Sequence, residues 1–241
     1  MGKLNTNGNA YTIIYASVMV ILVAFLLAFV AQVLGPTQKA NEDNDKKSQI
    51  LAALGIEKGS DYDVEAKYKE LITNDMIYGE DAAKPLKTGE KLDQDGFKVP
   101  NKELSPSNRP LYVAKVDGQT KYVIPMTGAG LWGGIWGYVA LNEDCETVFG
   151  TYFSHESETA GLGARITEKW FQDLFKNKKL HDKNPDQIAL SVVKKGKEDK
   201  NADPATYVNG VTGATLTSNG VSDMIQKGIG MYADILNNLK K

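Results

Sequence analysis

From Tyr11 to Leu34 the chain runs 24 residues without a charge. As a helix that stretch is about 36 Å long, at about 1.5 Å per residue. A bilayer core of about 30 Å is crossed with some tilt. No second run of this kind follows, so the reading is one membrane-type helix followed by a remainder of roughly 200 residues, enough for one domain with a core of its own. Tyr11 and Tyr15 lie at one end, where amphipathic rings favour the interface. Gly35-Pro36 predicts the helix stop. A cleaved signal peptide has a shorter apolar core, a clearly basic start and a small-residue cleavage site. Here only Lys3 and the amino terminus precede the run, and no Ala-x-Ala follows, so a retained anchor is expected. Lys39, Lys46 and Lys47 flank the other end, and this small count, taken literally, mildly favours a cytoplasmic C-terminal domain.

Composition removes several function classes. Lys and Arg number 28 against 30 Asp and Glu, a net charge of -2. No basic excess exists to neutralise a phosphate backbone, so no nucleic-acid partner is expected. Cys145 is the single cysteine, and His155 and His181 are the two histidines. A disulfide framework, a cysteine-based cluster and a multi-histidine metal site are thereby excluded, and no metal is expected. The chain has no P-loop, no Gly-x-Gly-x-x-Gly opening a helix and no Gly-x-Ser-x-Gly elbow.

Periodicity places the remaining elements. Gln38–Leu54 reads as a polar helix turning amphipathic, and Asp61–Ile72 as a second helix. Asp81–Pro110, rich in Lys, Asp, Gly and Pro, reads as a surface excursion. Leu111–Val116 and Thr120–Ile124 around Asp117-Gly118 form a hairpin signal. Ile135–Leu141, Thr147–Phe153, Ile188–Val193 and Val208–Val211 read as extended, Ile166–Phe175 as a helix. Ser218–Leu239 keeps the three-or-four spacing of one buried helical face. Strands and helices do not alternate regularly, so the expected class is α+β with a central antiparallel-rich sheet.

Three stretches carry candidate chemistry. Thr212-Gly213-Ala214-Thr215-Leu216-Thr217-Ser218 is a small-residue turn entering the last helix, with Thr217 or Ser218 as the expected cap. A helix start offers free N–H groups to a phosphate; a capped turn with no ligand is the plainer reading. Gly128–Gly137 packs five glycines and two tryptophans into ten residues. Glycines admit a flat ligand to the backbone and indoles stack on it, although a loop with buried aromatics has the same composition. His155–Arg165 holds His155, Glu158 and the Gly161-Leu162-Gly163 turn. On residue type alone its histidine is more often a structural or surface group than an acid–base one.

In this order and spacing, Gly130-Leu-Trp-Gly133 with Gly137-Tyr138, His155-x-x-Glu-Thr-x-Gly-Leu-Gly163 and Thr212-Gly-Ala-Thr215 before a terminal helix, all behind one N-terminal span, resemble the FMN-binding domain family. Within it they resemble the C-type subunits of the Na⁺-translocating NADH:quinone reductases; the related G-type subunits of ferredoxin-linked complexes are the alternative. A flavin-free periplasmic binding or scaffold domain is a further one. The resemblance implies FMN held covalently by a phosphoester to Thr215, attached by a flavin transferase. It implies FMN contacts from Leu131, Trp132, Glu158, Thr159, Gly161, Leu162, Thr212, Gly213, Ala214, Leu216 and Thr217, with His155 and Tyr138 in support. It implies an electron-relay subunit working with membrane subunits B, D and E, single-pass in a bacterial inner membrane, its C-terminal domain periplasmic; this outweighs the lysine count. The organisation expected is 1–36 tail and anchor, 37–80 helical connector and 81–241 FMN-binding domain. The chain departs from the family pattern at Ala160, where Pro is usual, and at Asn209, where Asp is frequent.

Overall fold

The computed structural model describes residues 8–57, 63–89, 92–199 and 201–240. The chain divides into two compact units, Met1–Lys46 and Lys47–Lys241.

Helix α1, Asn9–Ala53, supplies the described part of the first unit and enters the second. Its apolar stretch is long enough to cross a membrane, with a mean hydropathy of 2.9 and no residue buried within the chain. The expected stop at Gly35-Pro36 is not observed, because α1 continues through Pro36. An interior proline removes one ladder hydrogen bond and crowds one carbonyl. The helix formers that follow, including Gln38 bonded to Glu42 at 3.3 Å, carry the helix past it.

In the second unit α2, Val64–Leu71, starts from Asp63, whose carboxylate accepts the Ala66 N–H. The longer helix expected from Asp61 begins outside the described residues, and its end is shorter, because Ile72 opens a strand. β1, Ile72–Tyr78, lies where the connector 37–80 was expected to be helical. A register shift between Ile72 and Asn74 leaves Ile72, Asp75 and Tyr78 buried, three residues apart. That spacing imitates a helix, which explains the misreading.

The expected excursion 81–110 contains β2, Pro85–Lys87, two 3-10 turns and the start of β3, Arg109–Val116. Asp117 and Gly118 both take positive φ, 50° and 78°, and turn the chain into β4, Gln119–Ala129. β5, Gly134–Leu141, and β6, Val148–His155, follow. The sheet is antiparallel throughout, in the order β2-β1-β3-β4-β5-β6. The helix expected over Ile166–Phe175 is a 3-10 turn, Gly163–Thr167, followed by α3, Lys169–Asp173. β7, Ser191–Val193, and β8, Tyr207–Asn209, form a separate parallel pair. α4, Thr215–Gly230, starts three residues before the expected Ser218, and the chain breaks helix at Met231-Tyr232 before α5, Ala233–Leu239. The class is α+β.

Alternation along the strands gives the sheet two buried faces. Ile124, Met126, Ile135, Val139 and Phe153 pack with Val221, Met224, Ile225 and Ile229 of α4. Tyr112, Val123, Tyr138 and Ala140 pack with Ile50 and Leu51 of α1, with Tyr68 of α2 and with Phe97. Arg109, almost fully buried, donates to the Met231 carbonyl at 2.8 Å, to Asp234 at 2.7 Å and to the Gly79 carbonyl. It thereby fixes the break between α4 and α5 against the sheet.

Asp75 is fully buried and its Oδ2 accepts N–H groups of Asp93 and Phe97, both at 3.2 Å. Its Oδ1 has no partner among the described residues. Burial pushes its carboxyl up to about 6, against the two N–H groups and with help from Asp95 and Asp93. The folded state therefore holds this proton where the unfolded state has lost it, and the stability it confers is lost as pH rises from about 4 through about 6. Asp75→Asn should remove this slope. The variant's urea midpoint should gain on wild type by the equivalent of about 2–3 kcal/mol between pH 4 and pH 7, at about 1.4 kcal/mol for each tenfold change in proton affinity. Parallel pH profiles would refute the assignment.

Candidate functional site

Three chain segments converge at one end of the sheet. The turn 130–133 links β4 to β5 and is closed by Gly130 N–H donating to the Gly133 carbonyl at 2.8 Å. The segment after β6 lies alongside it. Glu156 N–H donates to the Gly134 carbonyl at 2.9 Å, and the Ser157 hydroxyl donates to the Trp132 carbonyl at 2.9 Å. The third segment is the turn into α4.

Glu158 joins all three. Its Oε1 accepts the Trp132 N–H at 2.8 Å, its Oε2 accepts the Thr217 hydroxyl at 2.5 Å, and the Leu131 N–H also donates to it. Its own N–H donates to His155 Nδ1 at 3.2 Å, which places the proton of a neutral His155 on Nε2. Burial pulls the Glu158 carboxyl upward. The Thr217 hydroxyl, the Trp132 and Leu131 N–H groups and His155 outweigh it and hold the carboxyl below its usual range. Glu158 is thus a buried anion that ties the motifs together. Gly163 lies against it, and a Cβ there would overlap both the Glu158 carboxylate and the Thr217 hydroxyl. After Ala160 the loop is tied back on itself, the Leu162 and Ala164 N–H groups both donating to the Thr159 carbonyl at 3.1 Å.

The turn into α4 needs glycine at Gly213, whose φ is 81°. A side chain there would also meet Leu162, 3.0 Å from the Cβ position. Neither Thr217 nor Ser218 caps the helix as expected. Ala214 occupies the cap, with no side-chain bond. The Ser218 hydroxyl instead accepts the Val211 N–H at 3.1 Å across the turn. The first turn of α4 therefore has two characters. Thr215 and Leu216 face solvent, whereas Thr217 and Ser218 are buried. Leu131, Trp132, Leu162 and Leu216 expose 44–66% of their surface, as apolar residues on the three segments that Glu158 joins rather than in a core. A cavity of about 260 Å³ adjoins Thr215, lined also by Lys194, Lys195, Gly210, Gly213 and Asn219.

The structure thus gathers Leu131, Trp132, Glu158, Thr159, Gly161, Leu162 and Thr212–Thr217 at one place, with His155 behind Glu158. Tyr138 is not with them. It is buried in the second core against Tyr112, ring centroids 6.4 Å apart. Thr217, expected to help hold a phosphate, is turned inward and committed to Glu158. Sequence reasoning missed Lys194 and Lys195, and it read Ser218 as a cap rather than as the residue that ties the turn at Val211. The two lysines reach the turn only because β7 runs parallel to β8 and Gly210 N–H donates to the Val193 carbonyl at 2.8 Å. Adjacent lysines at the end of a strand were the available signal.

An exposed hydroxyl, an apolar rim and a cationic cavity fit a flat, apolar ring system carrying a phosphate. Residues 130–230 match the FMN-binding domain family. Across nearly the whole chain the similarity is to C subunits of the Na(+)-translocating NADH-quinone reductase. The C subunit of Haemophilus ducreyi is 31% identical over 92% of this chain and 90% of its own length. The chain belongs to this C-subunit family. The Vibrio anguillarum member is 34% identical over 76% of each chain. Among solved structures, the C subunit from Parabacteroides distasonis superposes with a TM-score of 0.73 at 38% identity, covering 84% of this chain and 96% of that one. The Shewanella oneidensis structure, at 23% identity and a TM-score of 0.69, shares the fold. Membership of the C-subunit family sets this chain apart from the G-type alternative, and the domain match sets it apart from a flavin-free scaffold.

Proposed function

We propose that this chain carries FMN, bound through a phosphoester to Thr215, and relays electrons within a Na⁺-translocating NADH:quinone reductase. The observation that carries the reading is the position of Thr215. It is an exposed hydroxyl residue at the start of α4 that lines the cavity, next in sequence to the exposed Leu216 and two residues after Gly213, which lies against the exposed Leu162. FMN supplies the electron chemistry; the residues of this chain hold it, shield it and set its surroundings. Trp132, Leu131, Leu162 and Leu216 present apolar surface to the ring, and Glu158 fixes the backbone on which two of them sit.

Among the described residues the cavity lining contains no carboxylate or imidazole to activate the Thr215 hydroxyl. Attachment therefore falls to a separate flavin transferase acting on FAD. The pyrophosphate bond of FAD breaks, a bond forms between Thr215 Oγ1 and the flavin-side phosphorus, the hydroxyl proton is lost, and AMP leaves. The apolar stretch of α1 anchors the protein in the inner membrane among subunits B, D and E, with the C-terminal domain periplasmic.

Co-expression with a flavin transferase tests the reading. Wild-type chain should give a fluorescent band in a denaturing gel, and peptide mass mapping should place the adduct on Thr215. A dark band, in cells that label another acceptor domain, would sink the covalent-carrier reading.

A further inference from the structure

Resting on that reading, we propose that the Lys194–Lys195 cavity is a phosphate site, in which these two lysines position the flavin phosphate against Thr215. Thr215 lines the cavity, and no acidic residue lines it among the described residues. Both lysines are exposed, directly after β7, and neither forms an ion pair with a described carboxylate. Glu198 is near enough to feel Lys195, but its Oε1 accepts the Gly196 N–H at 2.8 Å within the same turn. Two cationic residues thus line a space bounded otherwise by Thr215 and the neutral residues Gly210, Val211, Thr212, Gly213, Ser218 and Asn219.

The backbone holds this wall in place. Ser191–Val193 pairs in parallel with Tyr207–Asn209, so the residues following β7 and those following β8 leave the pair at the same end. Val192 N–H donates to the Ser222 hydroxyl at 3.1 Å, which fixes β7 to α4. The lysines therefore have a set height relative to the first turn of α4. Lysine presents a compact charge on a flexible stem, suited to a phosphate that arrives, is rearranged and stays. The Thr217 hydroxyl, the other candidate for this role, is turned away toward Glu158.

The charge has two sources to meet: the diphosphate of the FAD donor during transfer, and the phosphodiester that remains on Thr215. The experiment separates them. Wild type, a Lys194→Gln/Lys195→Gln double variant and a Lys194→Arg/Lys195→Arg double variant are each incubated with purified flavin transferase and FAD. The time course is read by gel fluorescence, and the finished proteins by ³¹P NMR. The Gln variant should label about tenfold more slowly, Arg should restore the rate, and the thermal midpoints should agree, because both lysines are exposed. A ³¹P resonance that moves in the Gln variant places the lysines on the finished diester. An unmoved resonance with slow labelling places them on the donor diphosphate. As a check free of the transferase, a Thr215→Val chain should bind FMN more tightly than riboflavin, with a difference that falls with salt and disappears in the Gln background. Equal labelling rates in wild type and the Gln variant, with no FMN preference over riboflavin, would overturn the proposal while leaving Thr215 as the attachment point. A dark wild-type chain would remove both.

Discussion

Thr215→Ala should give a folded chain with no fluorescent band, whereas Thr217→Val should still be labelled. Both residues are threonines in the first turn of one helix, two positions apart, and the structure separates them by exposure and by hydrogen bonding. Thr215 faces solvent beside the cavity, so removing its hydroxyl deletes the proposed nucleophile and little else. The thermal midpoint should change by less than about 2 °C, the usual range for an exposed surface change in a domain of this size. Thr217 is 1% exposed and its hydroxyl bonds Glu158 at 2.5 Å. Valine fills the same volume but leaves the carboxylate one donor short, which costs about 1–3 kcal/mol in stability. The pair thus crosses over: one variant is stable and dark, the other weakened and fluorescent. Thr215→Ser keeps a hydroxyl and should be labelled. Fluorescence retained in Thr215→Ala would move the attachment point elsewhere.

How much of this is legible in the sequence differs by element. Central strands such as β4 and β5 read as extended because both faces are buried and leave short runs of β-branched and aromatic residues bounded by turn residues. β1 does not, since its register shift spaces buried residues by three. The end of α1 is legible, since Gln38–Leu54 reads as helix and α1 ends at Ala53, but its continuity is hidden because Gly35-Pro36 breaks most helices. At the site, residue identity is visible while orientation is not. Nothing in Thr-Leu-Thr-Ser says which hydroxyl faces outward; that follows from the angle at which α4 leaves Gly213. The lysine wall is hidden for the same reason, since it depends on a parallel pairing between segments fourteen residues apart. Tyr138 is drawn in by its neighbour Gly137, yet adjacent residues on a strand point to opposite faces.

Glu158→Ala should be the most damaging single change at the site, in both stability and flavin attachment. The carboxylate accepts from the Trp132 and Leu131 N–H groups and from the Thr217 hydroxyl, and it is 6% exposed. Alanine leaves three donors without their acceptor. A loss of about 2–4 kcal/mol follows, which urea unfolding would register as a lower midpoint. The turn 130–133 and the start of α4 would then no longer share an anchor, so labelling by the transferase should also fall. Glu158→Gln separates geometry from charge. Its amide oxygen still accepts the two N–H groups and its amide nitrogen donates to the Thr217 oxygen, so most of the stability should remain. The difference between wild type and Gln should depend on pH with a definite sign. The folded carboxyl lies below its ordinary value of 4.5. Its contribution is therefore complete above about pH 5 and is lost as pH falls through the lowered folded value. Wild type and Gln should converge in acid and differ most near neutrality. A Glu158→Ala protein with the wild-type midpoint and labelling rate would show that the three motifs are held together by the rest of the fold, and that this carboxylate is not their junction.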